Sequence, residues 1–208
     1  MDINLPITSF FNKKNSNKKE DIFFHFSLKT DDRTDLIYLE KYKKNPSLRY
    51  RHKWLTCFEP ENHLDNLVEK LISSYFYKNN INIFGYSFKD DTTLNRLKVI
   101  FSNSKFQHNI KTSTEIGLPS NGACLDSLFE FTSSDNFEEI TKLNGKADIL
   151  LVRHVIEHSW DVVNFLKCLK LLISKDGLIV FEIPDCENGL RNGMQTLLWE
   201  EHASYFTE

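Results

Sequence analysis

An open parallel α/β sheet with helices on both faces is the fold the sequence predicts, and three observations predict it. Ile149 to Val152 is a continuous apolar run, as a strand buried on both faces requires. From Val162 the period changes: Val162, Phe165, Leu166, Leu169 and Ile173 fall at helical spacing, with Lys167, Lys170 and Lys175 turned away. Leu178 to Ile183 is a second apolar run, closed by Pro184. Strand, helix, strand over this length implies a crossover between parallel strands, with the helix stopping at Gly177. The loop Arg153 to Trp160 then lies at the carboxyl edge of the sheet, where open α/β sheets bind ligands.

The other elements follow in order. Met1 to Glu20 is polar, with N-K-K-N-S-N-K-K-E at its centre, and reads as a flexible tail or exposed loop. Ile22 to Leu28 is a strand or a packing segment. Asp35 to Tyr50 reads as an amphipathic helix ending before Pro46. Pro60 to Tyr77 is a clearer helix, with Leu64, Leu67, Val68, Leu71 and Ile72 on one face and Glu59, Glu61 and Asp65 at its positive end. Ile81 to Gly85 is the first strand of the parallel sheet, and Asn95 to Phe101 lies in the helix after it. Leu118 to Gly122 is a turn, Leu125 to Phe131 a short strand or helix, and Phe137 to Leu143 a helix that leads into the Ile149 strand. The resulting division is a flexible or packing segment at 1–34, a helical lead-in at 35–80, and a sheet domain at 81–208.

The chain has 208 residues and a formal charge of -3, which gives no general pull towards nucleic acid. Its 40% hydrophobic content is supplemented by 17 Phe. The four cysteines, Cys57, Cys124, Cys168 and Cys186, form no C-x-x-C pair and read as buried thiols of a reducing compartment. No apolar run reaches the length of a membrane span, and Met1 to Lys14 has no signal-type apolar core. A cytoplasmic protein, with neither membrane nor nucleic acid as partner, is expected.

The segment D-I-L-L-V-R-H-V-I-E-H-S-W-D, with L-L-I-S-K-D-G-L-I-V-F-E-I-P-D after it, resembles the fourth strand, following helix and fifth strand of class I S-adenosylmethionine-dependent methyltransferases. Lys175-Asp176-Gly177 stands where that family has K-P-G-G. Trp199 to Thr207, W-E-E-H-A-S-Y-F-T, is similar to the Y-H-E-H-x-S-Y-F-S stretch of the sugar C-methyltransferase branch. The stretch D-L-I-Y-L-E-K-Y-K-K-N-P is similar to that branch's Y-x-x-N-P, whose aromatic and basic residues would line a substrate mouth. The resemblance implies a Rossmann-like class I methyltransferase sheet with S-adenosylmethionine as cofactor and a small-molecule substrate, a nucleotide-linked keto-sugar. A full class I sheet carries two more strands after the fifth. The sequence after Pro184 supplies neither, so the sheet is expected to be incomplete on that side: a fragment, a degenerate relative, or a fold whose open edge a protein partner or homo-oligomeric copy covers.

Residue by residue, the resemblance puts the cofactor at Gly85, Ser87, Asp90, Arg153 and His154. Gly85 matches the first glycine of the family loop, and Asp90 to Leu94 resembles its D-G-T-L-L. Asp91 replaces a glycine, Ile83 an acidic residue, and Phe88 and Lys89 put bulk where the family has bare backbone. Two vicinal ribose hydroxyls call for a carboxylate after the second strand, and Glu115 is the nearest. His202 is the expected base that removes a proton from the carbon to be methylated, with Glu201 assisting. Trp199, Tyr205 and His158 are the expected substrate contacts. Two other readings stand beside this one. The altered loop also suits a catalytically degenerate subunit or binding module. His154 to His158 matches H-x-x-E-H, an inverted zinc-peptidase motif, but that chemistry needs both histidines on one long helix, and here no metal is expected.

Overall fold

The computed structural model describes residues 2–6, 23–40, 61–75, 80–102, 108–119, 129, 131–199 and 201–208. The chain divides into two compact units, each discontinuous in sequence. One comprises Met1–Tyr50, Ile156–Trp160 and Ile183–Glu208; the other comprises Arg51–Val155 and Asp161–Glu182.

The second unit holds the parallel sheet. Its strands are β4 (Ile81–Gly85), β5 (His108–Lys111), β6 (Ala147–Arg153) and β7 (Ile173–Glu182), in the order β5-β4-β6-β7, with every pairing parallel. Among the described residues four helices accompany them: α1 (His63–Tyr75), α2 (Asp91–Ser102), α3 (Ser134–Asn144) and α4 (Val162–Leu172). Successive strand residues point to opposite faces, which is why the central strands β4 and β6 are apolar along most of their length. Ile83, Ile149 and Leu151 join Val68 and Leu71 of α1 and Leu94 and Leu97 of α2 in one core. Tyr86, fully buried, packs edge-on against Phe137 of α3 and Phe165 of α4, with ring centroids 6.2 and 5.4 Å away. This is an α/β unit of Rossmann-like type, as expected. Its helix ends are closed locally. Ser133 accepts a hydrogen bond from Asn136 N at the start of α3, a cap worth about 1 kcal/mol. Gly145, at φ +76°, supplies the left-handed residue that ends the helix.

The first unit is an antiparallel sheet, ordered β1-β2-β3-β8, of β1 (Asp2–Pro6), β2 (Phe23–Thr30), β3 (Ile37–Leu39) and β8 (Ser204–Tyr205). Phe26, Leu28, Leu39, Cys186, Leu198 and Tyr205 form its core, and Ile3, Leu5 and Phe24 pack on it. A short helix α5 (Glu187–Arg191) and 3-10 turns at Ile156–His158 and Gln195–Leu197 complete it.

Three expectations need correction. Asp2–Pro6 is a strand, not tail: Ile3 and Leu5 alternate with polar residues and register against Phe26 and Phe24 of β2. Five alternating residues are too short to outweigh the charged run that follows them in sequence. Asp35 to Leu39 does not begin a helix; Ile37–Leu39 is β3, paired on both sides. The rest of that stretch, 41–50, lies outside the described residues, as do most of 125–131 and both Cys57 and Cys124. The crossover helix ends at Leu172, not near Gly177. Gly177 lies inside β7, beside a register shift against β6. A Cβ there would stand 2.5 Å from Ile173 Cγ1 and 3.0 Å from Ala147 O, so close backbone approach, not helix termination, requires the glycine. Among the described residues, no helix is long and apolar enough to cross a membrane.

Candidate functional site

Chemistry-bearing side chains collect in two places, one in each unit. In the parallel-sheet unit they gather at the carboxyl ends of β4 and β6. Arg153, the last residue of β6, is wholly buried. Its Nε donates to Glu182 Oε2 at 2.6 Å, its Nη2 to Glu61 Oε1 at 2.7 Å, and its Nη1 to Thr92 Oγ1 at 2.9 Å and to the Lys89 carbonyl. Thr92 in turn donates to Glu61 Oε2 at 2.7 Å. Burial alone would raise Glu182, but the hydrogen bonds from His154 and Arg153 hold it well below the ordinary glutamate range. Glu61 is lowered in the same way, Thr92 and Arg153 overcoming desolvation.

Asp90 is the second centre of this arrangement and is fully buried. Its Oδ2 accepts from Tyr86 N and Ser87 N at 2.9 and 2.7 Å, and its Oδ1 accepts from Arg153 N at 3.0 Å. Ser87 Oγ accepts from Lys89 N, which completes a capping box. Burial nevertheless pushes the Asp90 carboxyl up to about 7. Ser87 and Asp90, expected to touch cofactor, are therefore bound up in shaping their own loop. Gly85 serves packing as well: a Cβ there would lie 2.9 Å from Leu94 Cδ1 and 3.0 Å from Asp90 Cβ. Arg153, also expected at the cofactor, has its guanidinium enclosed by carboxylates.

His154 and Glu115 differ. His154 follows β6 at φ +51°, a left-handed conformation uncommon outside glycine and concentrated at functional sites. Its side chain is 36% exposed and its Nε2 lies 3.0 Å from Glu182 Oε1. Glu115 stands in the turn just past β5. Thr112 N, Thr112 Oγ1 and, at 3.8 Å, Lys98 Nζ all address its Oε2, which leaves Oε1 as an acceptor. The Thr112 hydrogen bonds hold this carboxyl below its ordinary value. Of the residues expected at a cofactor, Glu115 is the one whose ionised carboxylate can receive a hydroxyl such as that of a ribose. The amides of Tyr86, Ser87, Lys89 and Asp90 are engaged by the loop itself and offer no bare cradle.

The second cluster belongs to the antiparallel unit. The Ile156–His158 turn presents Glu157 and His158, and the segment before β8 presents Trp199, Glu201 and His202. His158 Nδ1 is 2.9 Å from the Glu201 carbonyl. A carbonyl can only accept, so Nδ1 carries a proton and donates it there. The His158 and His202 rings meet edge to face, centroids 4.8 Å apart, and Trp199 lies 4.9 Å from His202. Glu157, His158, Glu201 and His202 are 2%, 7%, 8% and 9% exposed. Tyr205, expected at the substrate, is in the core, and its hydroxyl exchanges hydrogen bonds with the Trp199 main chain. Its role is to close the loop that carries Glu201 and His202.

The structure therefore gathers His158, Trp199, Glu201 and His202 as one group. Sequence reasoning placed Glu157 in the loop without joining it to His202, because no spacing rule links residues so far apart in the chain. Glu61 and Glu182 as partners of Arg153 were equally invisible. His154 and His158 do not share a helical face: the segment is a bend followed by a single 3-10 turn, so the inverted zinc-peptidase arrangement is not formed. No family model and no curated protein matches the chain.

Proposed function

We propose that the chain is an S-adenosylmethionine-dependent methyltransferase of the sugar C-methyltransferase type, acting on carbon of a nucleotide-linked keto-sugar. The observation that carries the reading is the all-parallel order β5-β4-β6-β7 with Glu115 just past β5. That position at the carboxyl edge of a Rossmann-like sheet is where a carboxylate meets a ribose. Bound S-adenosylmethionine supplies a sulfonium methyl for transfer to a carbon nucleophile. Glu115 would hold the ribose through Oε1. In the carbon-directed branch His202 would take the proton of the carbon next to the ketone, with Glu201 beside it. Their burial supports a role shielded from bulk water.

The test is calorimetric titration of the full chain with S-adenosylmethionine and with its demethylated product, alongside thermal unfolding. Ligand at about a hundred times its dissociation constant should add roughly 2.7 kcal/mol of stability. Glu115→Gln should weaken binding by roughly tenfold or more, since a hydrogen bond to a charged group is worth about 1.5–3 kcal/mol. Folded protein that binds neither compound at millimolar concentration would overturn the reading. It would favour a methyltransferase-like binding module instead, for which the self-engaged loop at Tyr86–Asp90 speaks.

A further inference from the structure

The geometry points to a divalent transition-metal site, zinc in the first instance, formed by Glu157, His158 and His202 within the antiparallel unit. One carboxylate and two imidazoles are brought together there from two distant stretches of chain, with their ligand atoms all within 4.8 Å of one another. His158 Nε2 is 4.0 Å from Glu157 Oε1. Tetrahedral zinc with bonds of about 2.0–2.1 Å sets its ligands about 3.4 Å apart, so the three groups need to draw together by only about 1 Å to close on an ion.

Two further features belong to such a centre. The Glu201 carbonyl receives His158 Nδ1–H, which fixes the ring and directs the Nε2 lone pair to the ligand position; metal-bound histidines are oriented in this way. Trp199 and Tyr205 stand around His202, with ring centroids 4.9 and 6.1 Å from it. Two histidines and one glutamate leave a fourth position for water or an oxygen ligand, the pattern of catalytic rather than structural zinc. The inference goes beyond the methyl-transfer reading and does not rest on it. A cation on His202 takes the lone pair that proton removal would use, so loaded and metal-stripped protein are distinct chemical states.

The experiment uses the full chain, stripped with a chelator and titrated with Zn²⁺ against a chromophoric competitor, with no S-adenosylmethionine present. One equivalent bound at micromolar affinity or tighter is expected. Glu157→Gln and His202→Gln should each weaken it tenfold or more, while His25→Gln and His63→Gln, at exposed histidines outside the cluster, should leave it unchanged. Co²⁺ bound to the unaltered chain should show the intense d–d bands of a four-coordinate ion, a readout that does not depend on any variant folding. Folded protein without stoichiometric zinc, or zinc affinity indifferent to both Glu157→Gln and His202→Gln, would overturn the proposal. Because cofactor is absent throughout, failure here leaves the methyltransferase test untouched, and the reverse also holds.

Discussion

The Arg153 arrangement and the His158–His202 cluster are both buried and rich in titratable groups, yet they are opposite in kind. Around Arg153, each guanidinium nitrogen of the cation is met by carboxylate, hydroxyl or carbonyl oxygens, and Asp90 is met by main-chain N–H groups. Charge and hydrogen bonding close on themselves. In the histidine cluster the converging groups are two imidazoles and a carboxylate, the kinds of side chain that ligate cations. The first arrangement is complete as it stands and belongs to the architecture. The second is suited to receive a positive partner, a proton or a cation. Burial and ionisability alone therefore do not mark a site; the sign balance of the group does.

The comparison breaks most readily at Arg153. Arg153→Met takes the buried guanidinium from between the half-buried Glu61 and Glu182 carboxylates, and should cost about 3–5 kcal/mol in urea unfolding. A loss below about 1 kcal/mol would mean that the network is dispensable. Next comes Gly177→Ala, whose new methyl meets Ile173 and the Ala147 carbonyl; about 1–3 kcal/mol is expected, measured by the thermal midpoint. The pH dependence separates two carboxylates of the same network. Glu182 is lowered in the fold, so its stabilisation is present above its unfolded value near 4.5 and is lost as pH falls below it. Asp90 is raised to about 7, so the fold retains its proton while the unfolded chain, near 3.8, has released it. Its contribution therefore declines as pH rises from about 4 to about 7. Glu182→Gln should flatten the acid limb and Asp90→Asn the neutral one, both read from unfolding midpoints across pH. The smallest effect belongs to the other region. His202→Gln should change stability by about 1 kcal/mol or less, as functional positions are seldom tuned for stability. A cost as large as that of Arg153→Met would reclassify the cluster as architecture.

Three strands of the parallel sheet were legible because they carry continuous apolar runs, whereas β5, written H-N-I-K, was not. Ile81–Gly85 and the Ile149 strand needed no further information, and α1 was plain from its apolar stripe. The antiparallel unit was not legible. Its strands are short, one is reduced to Ser204–Tyr205, and their pairing joins opposite ends of the sequence, which no local pattern encodes. The same distinction governs the sites. Glu201 and His202 were found by resemblance and His158 by its place at the sheet edge. Glu157 as a neighbour of His202, and Glu61 as a partner of Arg153, are products of tertiary folding. The helix end misread at Gly177 has a similar cause, since the residue answers to a neighbouring strand and not to its own helix.

The pairing of β3 with β8 also sets an order of events. Ile37 registers with Tyr205, so the edge of the β1-β2-β3 ribbon has no neighbour until nearly all of this sequence has left the ribosome. The parallel sheet, whose contacts lie between residues 61 and 182, is available to form first. A pairing between residues so far apart in the chain pays its loop entropy late. The loop bearing Glu201 and His202 is therefore set in place only with the strand that closes the edge of β3.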